Sequence, residues 1–255
     1  MKLLAIGVAL AVTGIPVLPG QDLPAWVLVL SRVKRHARES FQNIPNYTCQ
    51  ETVVRSARRI SRGPFHEIDT LRLQVASVAN RELLAPQGAS RFEDIDPSYY
   101  IQEGAIGTGL FSSLVRNLFV NDNALIGQPR EEQVQSRAAL AFDFEMTEFR
   151  SGYQLQSVSG SATVGLRGTF WVDKESLDLP QIEDRAVAIP QALGMSDVDS
   201  AIAFAPVRVG SSDALLPQSA ETVVKELKGG EKKNVTRFSG CRAYTAESVI
   251  DYGAP

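Results

Sequence analysis

Histidine, cysteine and catalytic spacing are what this sequence has least of, and each shortage removes a class of chemistry. Of its 255 residues only two are histidine, His36 and His66, and isolated histidines give no metal-ligand spacing. No metal centre and no cofactor are therefore expected. No G-x-S-x-G elbow occurs, and Ser112 and Ser113 have no partner nearby in the chain, so nothing supports a serine hydrolase. A P-loop and a dinucleotide fingerprint are absent too; the glycines between 104 and 109 lack the preceding strand that such loops need. Glu93, Asp94 and Asp96 lack the ligand order of a calcium loop and read as a solvated turn before Pro97. The expectation is a protein without an enzymatic site, although the paired carboxylates of a glycosidase would meet only in the fold.

Long apolar runs are also missing. The longest, residues 3–12, follows Lys2 and is broken by Gly14, Pro16 and Pro19, too short for a bilayer-spanning helix of about 20 residues. With a small residue at Gly20, residues 1–20 read as a cleaved export signal. No cysteine lies near the cleavage point, so the mature end is expected to be free of lipid and the protein periplasmic or secreted. No Ser/Gly/Pro-rich linker and no internal repeat interrupt residues 21–255, which are expected to form one domain.

The remainder is ordinary in composition, 44% hydrophobic and 22% charged with a formal net charge of −3, enough to bury a core. Its charge is uneven. Arg32, Lys34, Arg35, Arg38, Arg55, Arg58, Arg59 and Arg62 face only Glu39 and Glu51 in the same stretch. Arg55, Arg58, Arg59 and Arg62 are a candidate patch for an anionic membrane surface or an acidic envelope protein; a solvated Arg-rich turn is the plainer reading. Export and the acidic remainder argue against nucleic acid.

Apolar residues Trp26, Leu30, Val33, Ala37 and Phe41 recur at helical spacing after Pro24, and Asn43-Ile44-Pro45 ends that helix. Strands follow at 47–55 and 70–78 around a turn with Gly63-Pro64. Thr108 can cap a second helix carrying Leu110, Phe111, Leu114, Val115, Leu118 and Phe119 on one side. It either covers a core or lids an apolar cavity. Alternation then predicts strands at 137–146, 152–158, 162–172, 177–189, 201–209, 215–227 and 234–250, joined by short turns. Such a series folds as a meander. The expected fold is mainly β (α+β), one large curved antiparallel sheet, an open half-barrel, with an N-terminal and an inserted helix packed on one face.

The segment Gly168-Thr-Phe-Trp-Val-Asp173-Lys-Glu-Ser176, running on through Leu179 and Ile182, resembles a hairpin of the periplasmic lipoprotein-carrier superfamily that includes LolA and RseB. The order of leader, amphipathic helix and meander with an inserted helix is similar as well. This resemblance implies a half-barrel whose concave face binds acyl chains. The stretches around Cys49 and Cys241 are also similar to exported bacterial proteins of unknown function.

The leading functional expectation is thus a non-catalytic binder of a lipid or lipoprotein acyl chain, with Phe111, Leu114, Leu118 and Trp171 as candidate ligand contacts. An envelope interaction or sensor module is the alternative, and an envelope hydrolase ranks third. Cys49 and Cys241 lie in the first and last predicted strands; in an exported protein they form one disulfide, or else remain two buried thiols.

Overall fold

A computed structural model describes residues 23–59, 62–78, 81–89, 92 and 111–244. The expected export signal, the expected Thr108 cap and Leu110, the acidic residues 93–96, Tyr99 and Tyr100, the glycines of 104–109 and the end of the last expected strand lie outside them, as does the Phe111 side chain. The elements run α1 (Ala25–Gln42), β1 (Tyr47–Arg58), β2 (His66–Val78), β3 (Arg81–Pro86), α2 (Phe111–Phe119), β4 (Leu125–Ile126), β5 (Arg130–Val134), β6 (Arg137–Met146), α3 (Glu148–Ser151), β7 (Tyr153–Ser157), β8 (Gly160–Asp173), β9 (Gln181–Val187), a 3-10 turn (Gln191–Leu193), β10 (Met195–Val209), β11 (Ser212–Glu226) and β12 (Glu231–Ala243).

Among the described residues all pairings are antiparallel, in one open twelve-stranded sheet with the order β3-β2-β1-β12-β11-β10-β9-β8-β6-β4; β5 pairs with β6, and β7 with β8. The expected class holds. A strictly sequential meander does not, because β1 pairs with β12 along Tyr47↔Ala243 to Arg58↔Glu231 and carries the N-terminal strands to the far side of the last one. Three strands escaped the alternation reading: β3, β4 and β5, which are short or charged. The strand expected from 177 starts only at Gln181, since Asp173 Oδ1 accepts the amides of Glu175 and Ser176 and holds residues 174–177 in a turn, with Leu177 at φ 64°.

The concave face collects the main core. One cross-strand row runs Val53, Thr236, Ala220, Ile202, Ile182, Phe170, Phe142. Against it α2 buries Leu114, Val115, Leu118 and Phe119, whose ring meets Phe170 edge-on at 5.0 Å. Helix α1 sits more lightly. Only Val33 and Ala37 are buried along it, and polar ties secure it: Lys34 Nζ to Asp122 at 2.7 Å, and Arg38 Nη2 to the Phe119 carbonyl at 3.2 Å. The second tie satisfies a free carbonyl at the end of α2 and places positive charge at its negative pole.

The sheet forks at one end. β11 and β12 pair only between Ser219↔Arg237 and Lys225↔Glu231. Beyond that, β10 and β11 stay paired with each other to Val209↔Ser212, and β12 stays paired with β1. A register shift at Ala203/Phe204, which leaves Gln218 unmatched, marks where they part. Both sides of the free half of β11 are then buried. Leu215 joins the main core, while Ala214 and Leu216 form a second cluster with Tyr47, Cys49 and Val209, against which Phe238 and Cys241 pack. Within this cluster Cys49 and Cys241 form a disulfide, their Cα atoms 4.1 Å apart. Gly240, at φ 60°, absorbs the extra residue that the pairing places opposite Cys49.

Candidate functional site on the concave face

Two features set the concave face apart from a plain core. The first is a narrow apolar crevice between α1 and the sheet, with no room for a water-sized molecule, lined by Val33, Ala37, Phe41, Val172, Leu179 and Leu215. His36 on α1 and Asp178 on the β8–β9 connection flank it with Nε2 and Oδ1 3.0 Å apart, each side chain 35% exposed. Leu177, beside Asp178, packs into the main core from its left-handed conformation, a strained one for a bulky residue.

The second feature is a polar row crossing the same face one register step from the apolar row. It runs Asp69, Arg55, Asn234, Thr222, Ser200, Asp184 across six strands and ends at Gly168. Period-two alternation puts these residues on the concave side whatever their polarity. Arg55, 2% exposed, donates through Nε to Asp69 Oδ1 at 2.7 Å and through Nη2 to Oδ2. That hydrogen-bonded pairing holds the Asp69 carboxyl below its ordinary range. Ser200 and Thr222 hydroxyls lie 3.4 Å apart. Burial, helped by the nearby charge of Asp199, pushes the Asp184 carboxyl up to about 7. The Tyr153 phenol is raised by burial and by Asp184, against a lowering hydrogen bond with Ser200.

Gly168 ends the row because nothing larger fits: a Cβ there would lie 2.0 Å from the Glu183 carbonyl oxygen and 2.9 Å from the Phe144 ring. Further along β1, Glu51 is 1% exposed and both its carboxyl oxygens are buried without a hydrogen-bond partner. Burial pushes this carboxyl up to about 7.

The residues anticipated as one ligand site are split. Leu114 and Leu118 are buried on α2 against the concave face. Trp171 alternates with the buried Phe170 and Val172, so it stands on the opposite face, its indole N–H donating to Glu132 Oε2 at 2.9 Å. The four arginines are divided as well. Arg55 belongs to the buried row; Arg58 binds Glu231 through Nε at 3.0 Å and lies 4.3 Å from the Phe65 ring centre; Arg59 and Arg62 are exposed. On that opposite face an open groove of about 360 Å³ has charged walls, including Glu183, Arg185, Asp199 and Glu221. Among the described residues no group of three or more His, Cys, Asp or Glu side chains could hold a metal, and no helix is long and apolar enough to cross a membrane.

Neither the polar row nor Glu51 was picked out from the sequence. The signal was present in Glu51, Arg55, Asp184 and Asn234, polar residues at the inward phase of their strands, but it is visible only once the phase of each strand is fixed.

The fold defines a class, an open antiparallel sheet with its concave face plugged by helices. No family model matches the chain, and no curated protein matches it. Among solved structures it is similar to a LolA superfamily protein from Nitrosomonas europaea at 11% identity and TM-score 0.41, with 85% of this chain and 94% of that one covered. It is also similar to a DUF1329 family protein from Desulfovibrio piger at 12% identity and TM-score 0.45, covering 86% and 94%. A third likeness, at 12% identity and TM-score 0.46, covers 88% of this chain and 94% of a Vibrio parahaemolyticus domain assigned to outer membrane lipoprotein sorting.

Proposed function

We propose that this is an exported envelope protein that binds the apolar chain of a lipid or lipoprotein between α1 and the concave face, without catalysis. The crevice beside α1 carries the reading: it is apolar within, has a polar pair at its edge, and its outer wall is the lightly held helix. As it stands the crevice is too narrow to admit even a water-sized molecule, far short of the roughly 300–1,000 Å³ of an ordinary ligand site, so a chain enters only by lifting α1.

The energetics favour that exchange. Uncovering Val33 and the partly buried Leu30 and Phe41 costs about 1.5–3 kcal/mol for each side chain fully exposed. An acyl chain burying a dozen methylenes returns about 0.8 kcal/mol for each, on the order of 10 kcal/mol before the cost of association. The two sums are comparable for a short chain and favour binding for a long one.

The test is uptake of a polyene fatty acid whose fluorescence rises in an apolar site. Uptake is expected, and His36→Ala, which removes the tie at the edge of the crevice, is expected to speed it without unfolding the protein. A folded protein that takes up no fatty acid overturns the reading.

A further inference from the structure

Most buried charge among the described residues is compensated. Arg55 binds Asp69, Glu231 binds Arg58, and the buried Asp173 has Arg137 at 2.9 Å and two backbone amides. Asp184, paired across the strands with Ser200, is the other buried carboxyl whose charged form is disfavoured. Glu51 alone of the described side chains has oxygens that are both buried and unpartnered.

Its position is as particular as its isolation. The last β11–β12 pair is Ser219↔Arg237, and the next residue on β12, Phe238, pairs with Glu51. Glu51 therefore stands where the two layers of the fork part. It shares its side of β1 with Cys49 and Val53, is flanked across the strands by Leu73 and Phe238, and lies on the same concave face as the main core. A carboxyl in apolar surroundings with no donor is disfavoured on its own, and side chains of this kind gather at binding sites.

We propose that Glu51 is the acceptor for the amine of an amphiphilic ligand, whose head it holds at the fork. The inference rests on the reading that the concave face takes an apolar chain. The complementary group must bring several N–H donors and a positive charge, because an ionised carboxylate in such a place is stable only with a hydrogen-bonded counter-ion. A primary ammonium supplies both. A hydroxyl supplies one donor and no charge, and a carboxylate head would set like charges together. Arg55 does not compete for the role, since Asp69 already neutralises it.

The experiment measures binding of dodecylamine, dodecanol and dodecanoate, below their micelle concentrations, to the full chain and to Glu51→Leu and Glu51→Gln. The expected result is a preference for the amine over the alcohol of about tenfold or more in the unmodified protein, falling to within about twofold in Glu51→Leu. Glu51→Leu should also raise the thermal midpoint of the ligand-free protein at neutral pH, because it removes an orphaned polar group. Equal binding of all three amphiphiles to the unmodified protein overturns the assignment while leaving apolar-chain binding intact. Binding of none overturns both. If Glu51→Leu and Glu51→Gln are both less stable than the parent, Glu51 has a structural partner and the assignment fails.

Discussion

At the scale of single residues the concave face carries two carboxyls, Glu51 and Asp184, that burial pushes up to about 7. Each binds its proton more tightly in the folded protein than in the unfolded chain. The native state therefore holds more protons between the ordinary carboxylate range and about pH 7, and stability falls as pH rises through that window. For Glu51, moving from 4.5 to about 7 corresponds to about 3 kcal/mol. Asp69, Asp143 and Asp173 are shifted the other way and matter below the window, where acid removes their contribution. Urea midpoints should thus be higher at pH 5 than at pH 8, and Glu51→Gln should flatten the difference; a pH-independent midpoint would count against both shifts. These two groups were not legible beforehand. A carboxylate at an inward phase looks the same in sequence as one at an outward phase until the neighbouring strands fix which side is covered.

At the scale of elements, α1 and α2 share the concave face but not the same attachment. α2 is built in through Leu114, Leu118 and Phe119, so Leu114→Ala should cost about 2–5 kcal/mol. Arg38→Ala, which loosens α1 by freeing the Phe119 carbonyl, should cost only about 1 kcal/mol while increasing protease cleavage within α1. Equal losses from both would show α1 to be as fixed as α2. β8 is pinned by Gly168, where even a methyl group collides with the β9 backbone; Gly168→Ala should cost about 3 kcal/mol or prevent folding. Both helices were legible from their 3.6-residue period, as were the long strands from alternation, whereas β3, β4 and β5 lack a strong pattern of their own and exist by pairing with neighbours.

At the scale of the whole molecule, the pairing of first and last strands is what turns a meander into a forked sheet. The sequence placed Cys49 and Cys241 on the outermost expected strands, and their union follows from those strands being neighbours. What no local pattern could show is that β11 would leave β12 after Ser219 and be covered on both sides, since that depends on a bulge and on contacts far apart in the chain. The bridge spans a sequence separation of 192 residues, and in the chain-entropy model its reduction should cost up to about 5 kcal/mol, read as a drop in midpoint with dithiothreitol. The central claim is that the open sheet holds an apolar chain under α1, and native mass spectrometry of the purified protein incubated with mixed phospholipids tests it most directly. The account predicts a one-to-one complex with an acyl-bearing species that is lost when Leu179 and Leu215 are replaced by Gln in a protein that still folds. A folded protein that stays ligand-free across the lipid mixture would contradict it.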